Sequence, residues 1–364
     1  MLVKISSITI ISAANGGGLE NNMPLYEKDI AVDMGTANTL VCSAGKSRVM
    51  CEPTVVIVNK TDGTVLKIGE EAKKTLGRTP ANTAAIRPIA AGVISDYDMA
   101  AAMLREIVSR ITSFSLFKPR MLVCVPGSIT GVEERATIDA AIEAGAREVF
   151  LLENAVATAI GVGVDITKAN GHMVIDIGGG TTEIAIVSMG GVVECESIKI
   201  AGDSFDEAII RYIKNTRQVL IGEKTAEEVK ISIGGVLPRA EDMEMEVKGR
   251  SLLNGLPEVL TIRSSELVDV LNEPVQRILE SIRAVIERTP PELAGDLLNN
   301  DIILSGAGSQ LYGIAQLIAN ITQLHVRPVD EPGTIVAHGA RKMLDNLDNM
   351  NSGMMNFLRR RQMK

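Results

Sequence analysis

Apolar runs broken by clusters of turn residues dominate the chain, and two of them share one order of residue types. In HMVIDIGGGTTEIAIV, from His172 to Val187, an apolar run ends in Asp176. Gly178, Gly179 and Gly180 mark a tight turn, Thr181 and Thr182 follow, and a second apolar run begins. This predicts strand, turn, strand. Far upstream, DIAVDMGTANTLVCS repeats the order from Asp29 to Ser43. Asp33 stands for Asp176, Gly35 for Gly178, and Thr36, Asn38 and Thr39 for Gly179, Thr181 and Thr182. The recurrence predicts one supersecondary unit used twice.

Between and after these units the periodicity alternates. EPTVVIV reads as a strand and Asp62-Gly63 as a turn. YDMAAAMLREIVSRI has helical spacing, with Met99, Met103, Ile107 and Ile111 on one face. MLVCVP predicts a strand, residues 130 to 144 a helix, and REVFLLENAVATAIGVG a strand running into an alanine-rich helix. The second half carries helices in FDEAIIRYIKNTR and TAEEVKISIG, strands in EDMEMEVKG and EVLTIR, and a long helix over about 266–288 before Pro290-Pro291. DIILSGAGSQLYGIAQLI then predicts strand, glycine turn and helix. Strands, helices and strands once more predict an α/β domain with a mixed sheet, occurring twice. No proline-rich or serine-rich linker separates the copies, so the expectation is two packed halves with a ligand in the cleft between them.

Glycines without Cβ atoms let backbone N–H groups approach a phosphate, and an aspartate at a strand end suits a hydrated Mg²⁺. One glycine-rich hairpin capped by an aspartate is commonly only structural. Two in matching order predict a polyphosphate gripped from both sides, with Asp33 and Asp176 about the metal. Gly306 and Gly308, after a strand and before a helix, supply a third loop where a nucleotide can approach a helix N-terminus.

Composition narrows the alternatives. At 364 residues, 46% hydrophobic and 23% charged, the chain has the make-up of a globular protein of about two domains. A net charge of −8 argues against a nucleic-acid binder. The four cysteines are dispersed without CxxC pairs, and Cys124 in MLVCVP reads as a small core residue. With only three histidines, a transition-metal centre is not expected. No apolar run spans a bilayer. The first 22 residues lack the charge and the uninterrupted apolar run of an export signal. Met23 before Pro24 offers an alternative start, and residues 1–28 are expected to be a disordered extension.

The strings DMGTANTLV, AIRPIAAGVISDYD, LFKPR, VPGSITGVEERA, DIGGGTTEIA, IAGDSFDEAI and EKTAEEVKISIG, spread between residues 29 and 347, carry a resemblance. The chain resembles the actin-like ATPase superfamily of actins, heat-shock chaperone ATPase domains and sugar kinases. Within it the chain is similar to the MreB family of bacterial rod-shape-determining proteins. The resemblance implies an actin-like α/β fold of two similar domains with mixed sheets around a nucleotide cleft. Domain I would cover 29–165, with a helix at 333–347 packing back on it, domain II 166–332, and a C-terminal tail 348–364. It implies ATP and Mg²⁺, with Asp33 and Asp176 at the metal mainly through water. Gly35, Thr36, Ala37 and Asn38, then Gly178, Gly179, Gly180 and Thr181, would form the phosphate loops. Gly202, Asp203, Glu227, Lys230, Gly306, Ala307 and Gly308 would border the adenosine. On spacing alone, Glu227 and Lys230 are an exposed ion pair on one helix face. Ala307 stands where the family usually has glycine.

One departure bears on catalysis. The family's helix after VFLL begins Glu-Glu-Pro, its second glutamate activating water; here the residues are Glu153, Asn154 and Ala155. Asn154 can hydrogen-bond a water without taking its proton, a loss typically worth roughly 10²–10⁴ in rate. The loss is smaller where positioning dominates, as with glutamine in GTPases. The expected catalytic set is Asn154, Asp176 and Thr181, with slow hydrolysis. The resemblance also implies self-assembly into filaments, interaction with the cell-wall elongation machinery, and a cytoplasmic location at the inner face of the membrane. Leu116 and Phe117, beside Lys118 and Arg120, match the family's membrane loop; on pattern alone they begin the strand MLVCVP. The tail NFLRRRQMK is a second membrane candidate or a solvated end. The alternative function is a sugar or acetate kinase on the same fold, but no segment declares its substrate pocket. A chaperone would carry a further peptide-binding domain.

Overall fold

The computed structural model describes residues 29–45, 48–112 and 118–347 and the backbone of 359–362. Two mixed sheets organise it. In the first, Ile30–Met34, Asn38–Ser43 and Val49–Pro53 form an antiparallel meander. Arg120–Val125 and Glu148–Glu153 extend it in parallel on the other side of Ile30–Met34. The second repeats this plan: His172–Ile177, Thr182–Ser188 and Gly191–Ile198 form the meander, and Ile302–Ser305 and Val326–Pro328 add in parallel. Each repeated hairpin therefore leads one sheet, as its sequence predicts. The strands read as near-continuous apolar runs because helices cover both faces of each sheet.

Three helical layers alternate with the two sheets. Tyr97–Thr112 and Gly131–Glu143 cover the outer face of the first, burying Met103, Leu104, Ile107 and Ile138. Met99 and Ile111 pack partly buried on the same core, so the predicted helical face is the buried one. Thr130 caps Gly131–Glu143 in a reciprocal capping box with Glu133, which fixes the start of that helix. Gly202–Arg217 and Ser264–Arg288 cover the outer face of the second sheet.

Between the sheets lie Asn154–Gly161 and Ile335–Asp345, which share one core with residues of both, among them Leu122, Cys124, Val174 and Ala185. These two helices meet at glycines. A Cβ on Gly339 would strike the Ala157 carbonyl, and one on Gly161 would lie 2.7 Å from the Ile335 carbonyl. The last long helix thus returns to the first sheet, against whose strands Ile30–Met34 and Asn38–Ser43 it packs.

Each half also carries a small arm. Val56–Asn59, Val65–Ile68 and Thr83–Ile86 form one three-stranded sheet beside the short helix Glu70–Lys73. Val219–Leu220, Glu244–Ser251 and Pro257–Arg263 form the other beside Glu223–Ile233. Two expectations change. The backbone of Arg359–Gln362 pairs antiparallel with Glu148–Leu151, so the end of the tail is an edge strand of the first sheet rather than a free end. It satisfies backbone groups that this strand would otherwise leave unpaired. The glycine turn after Ile302–Ser305 does not lead directly into a helix: a 3₁₀ turn, Ala307–Gln310, intervenes before Ile314–Thr322.

Candidate functional site: a cleft beside two interlocked hairpins

The tips of the two hairpins interlock. A Cβ on Gly179 would lie 2.6 Å from the Ala37 methyl, and one on Gly180 2.6 Å from Thr36 Cγ2, so glycine at both positions is what lets the turns touch. The Gly92 N–H, from the loop after Ile89–Ala90, donates to Thr36 Oγ1 at 3.1 Å and ties a third segment to the junction. Thr181 faces the same loop, its Oγ1 3.6 Å from where a Gly92 Cβ would stand.

Beside the junction opens a cavity of about 980 Å³, at the upper end of the ~300–1,000 Å³ common for ligand pockets. Thr36, Ala37, Asn38, Gly178, Gly179, Gly202, Asp203, Glu227, Lys230, Ala307 and Gly308 line it, all of them singled out from sequence. Gly35, Gly180, Thr181 and Gly306 shape its surroundings without lining it. A Gly35 Cβ would crowd the Asn38 carbonyl at 2.6 Å. Gly306, at φ +83°, lies against Asp176: a Cβ there would collide with the carboxylate and with the Ile177 carbonyl. A Gly308 Cβ would come within 2.7 Å of Ile177 Cγ2. The third loop therefore reaches the same floor as the hairpins through the 3₁₀ turn. Ala307 is part of the lining, its methyl 3.7 Å from where a Gly333 Cβ would stand.

Asp33 and Asp176 stand near the strand ends that lead into the two turns and are not among the residues lining the cavity. Burial pushes Asp33 up to about 7, with the charge of Asp176 adding to it, and burial pushes Asp176 up to about 6. Two desolvated carboxyls, one of them raised further by the charge of the other, suit a divalent cation held through water, which would replace their protons. The residues present therefore fit a hydrated Mg²⁺.

Across the cavity, the N-terminus of Gly202–Arg217 meets the second hairpin. The Gly202 N–H donates to the Gly178 carbonyl at 3.2 Å and the Asp203 N–H to the Gly179 carbonyl at 2.7 Å. Lys230 lines the wall, but its ammonium is engaged: Nζ donates to the Gly202 carbonyl at 3.0 Å and to Asp206 at 2.8 Å. Burial raises Asp206 to about 6 against the opposing pull of Lys230. Glu227 pairs not with Lys230 but with Lys73 of the opposite arm, at 3.8 Å. Arg87, following Thr83–Ile86, reaches over the mouth to Asp203 at 3.3 Å and Glu223 at 3.0 Å. These ion pairs join the two arms.

Asn154 is the first residue of Asn154–Gly161, with Glu153 at its cap position. Beside it is a group that sequence reading missed. Glu183 is buried between the sheets, and its Oε1 accepts from the Gly127 N–H at 3.2 Å. Burial first, then the charge of Asp176, pushes it up to about 8. An acid inside the otherwise apolar strand TTEIAIV was the available signal. Leu116 and Phe117 lie outside the described residues. Their expected basic neighbour Arg120 is committed elsewhere, paired with Asp29 at the edge of the first sheet.

Two mixed sheets built on one repeated hairpin, each with an arm beside a shared cavity, make this an actin-like fold. Comparison with known proteins agrees. The MreB/Mbl protein family profile matches residues 27–352. The cell shape-determining protein Mbl of Bacillus subtilis (strain 168) is 44% identical over 327 residues, 90% of this chain and 98% of that one. The cell shape-determining protein MreB of Escherichia coli (strain K12) is 43% identical over 330 residues, 89% and 95% of the respective chains. The crystal structure of MreB5 of Spiroplasma citri bound to ADP superposes with a TM-score of 0.85 at 33% identity, covering 90% of this chain and all of that one. The chain belongs to the MreB/Mbl family. A MamK double helical filament, 20% identical with a TM-score of 0.75 over 88% of this chain, shares the fold.

Proposed function

We propose that the chain binds ATP with Mg²⁺ in the cleft, assembles into filaments on the inner face of the cell membrane, and helps determine rod shape by organising cell-wall synthesis. The observation that carries the nucleotide reading is the pair of interlocked hairpins over Asp33 and Asp176 at the edge of the 980 Å³ cavity. Backbone N–H groups and a metal on that floor would neutralise a triphosphate. Relatives support it: MreB5 has been crystallised with ADP and with AMPPNP, the latter at a TM-score of 0.85 and 34% identity. Self-assembly is supported by the shared fold and by the names of the shape-determining relatives. Membrane attachment rests on the family likeness of LFKPR; among the described residues no helix is long and apolar enough to cross a membrane.

Hydrolysis is slow in this reading because Asn154 orients a water without accepting its proton. A fluorescent ATP analogue titrated with and without Mg²⁺ tests the site, and electron microscopy with ATP and anionic vesicles tests assembly. Asn154→Glu is expected to raise single-turnover phosphate release by about tenfold or more. An unchanged rate removes the catalytic reading of this position.

A further inference from the structure

Without the C-terminal strand, Glu148–Glu153 would end the first sheet and offer a row of main-chain N–H and C=O groups to any other strand. The strand is apolar as well, with Val149, Phe150, Leu151 and Leu152 all buried. Such an edge suits a second copy of itself. Two identical edges meeting about a two-fold axis pair antiparallel. The backbone of Arg359–Gln362 takes that same sense, with Glu148 opposite Gln362 and Leu151 opposite Arg359. It covers four of the strand's six residues in the geometry that a second copy would use.

Three further observations bear on this segment. The family profile matches residues 27–352, so the strand lies beyond the part of the chain that it describes. Residues 353–364 carry four positive charges and no acid, so the net −8 of the whole chain leaves −12 on the rest. That opposition draws the tail to its own body and keeps two tails apart. Leu347, at the start of the connection, shares a core cluster with Phe150 and Leu152 of the strand to be covered. The connecting residues, 348–358, span at most about 40 Å when extended, which is ample for docking on the same molecule.

We propose that the edge of Glu148–Glu153 is a self-pairing surface for a second copy of this chain, and that Arg359–Gln362 guards it against edge-to-edge joining of two first sheets. This goes beyond the nucleotide reading and does not rest on it, since pairing of this kind needs nothing in the cleft. The guard works through its main chain, and its charges only keep it near.

The test breaks that main chain. Successive N–H groups of a strand point to opposite sides, so Arg360→Pro with Arg361→Pro removes one that faces the edge, whichever residue carries it. Arg360→Gln with Arg361→Gln removes the same charges and keeps both N–H groups. The full-length proteins are compared without nucleotide or Mg²⁺, by hydrogen exchange and analytical ultracentrifugation. At dilution the edge-facing amides of residues 148–151 are expected to exchange about tenfold or more faster in the proline variant than in the parent. That variant is expected to self-associate about tenfold or more tightly than the parent, and to regain protection of the same amides as its concentration rises. The glutamine variant is expected to keep the parent's protection and the parent's oligomeric state. If the proline variant loses the parent's circular dichroism spectrum, Arg359→Pro with Arg360→Pro replaces it. Equal exchange at 148–151 in parent and dilute proline variant shows an unpaired tail and overturns the inference. So does a proline variant that stays monomeric with those amides open, a dimer whose new protection lies elsewhere, or a glutamine variant that dimerises as readily as the proline one.

Discussion

The two hairpins descend from one pattern and are supported in different ways. The first is held largely by one side chain: Thr54 donates its hydroxyl to the Gly35 carbonyl at 2.8 Å and bonds the Thr39 hydroxyl at 3.0 Å, beside a single main-chain bond from its N–H to the Ala37 carbonyl at 2.9 Å. The second is held by main chain, its Gly178 and Gly179 carbonyls receiving the N–H groups at the start of Gly202–Arg217. Side chains need room, so the first hairpin keeps Thr36, Ala37 and Asn38, and the second gives up its Cβ atoms where the two meet. One copy supplies shape and polar groups; the other supplies bare backbone. A repeat placed face to face cannot remain symmetric, because two sets of Cβ atoms would occupy the same contact.

Breaking that asymmetry has the largest expected effect. Gly179→Ala sets a methyl against the Ala37 methyl, and affinity for the ATP analogue in Mg²⁺ is expected to fall by about a hundredfold, as expected of a site that depends on close backbone approach. Adding Ala37→Gly is expected to recover most of it. Loss without recovery shows that the contact does not matter.

The next comparison is between the two aspartates in the metal-free, nucleotide-free protein. Both carboxyls titrate higher in the fold than in the unfolded chain, Asp33 at about 7 and Asp176 at about 6. Below pH ~4 both states are protonated and there is no penalty; as pH rises toward 7 the unfolded chain ionises freely and the folded one does not, so stability falls. The melting temperature is therefore expected to rise as pH is lowered from 8 to 5.5. Asp33→Asn is expected to raise it at pH 8 by several degrees, flatten the profile, and weaken Mg²⁺-dependent nucleotide binding. A lower melting temperature at pH 8 contradicts this account.

The smallest effect belongs to the arms. Each exposed ion pair of Arg87 is worth about 0–1 kcal/mol, so Arg87→Gln is expected to speed release of the fluorescent nucleotide by about two- to fivefold in stopped flow. High salt is expected to erase the difference by screening. A difference that persists in high salt assigns Arg87 another role.

Much of this was readable along the chain because its causes are local. The order Asp, Gly, small polar residue sets each hairpin, and the 3.6-residue period marks Tyr97–Thr112. Thr130 and Glu133 announce a helix start. What sequence concealed depends on partners distant in sequence. Arg87 meets residues more than a hundred positions away. Glu227 looked like a partner for Lys230 by helical spacing, but each is claimed by another element. Glu183 escaped notice because its neighbours come from three separate strand ends. The 3₁₀ turn at Ala307–Gln310 escaped because Gly306 and Gly308 mark a bend in the chain without specifying the conformation on its far side.

The glycine contact between Asn154–Gly161 and Ile335–Asp345 lies where the chain leaves the first half and where it comes back. Both crossings share that one point, so any side chain at Gly339 would have to push aside the Ala157 carbonyl and part the two helices that carry the chain out of the first half and back into it.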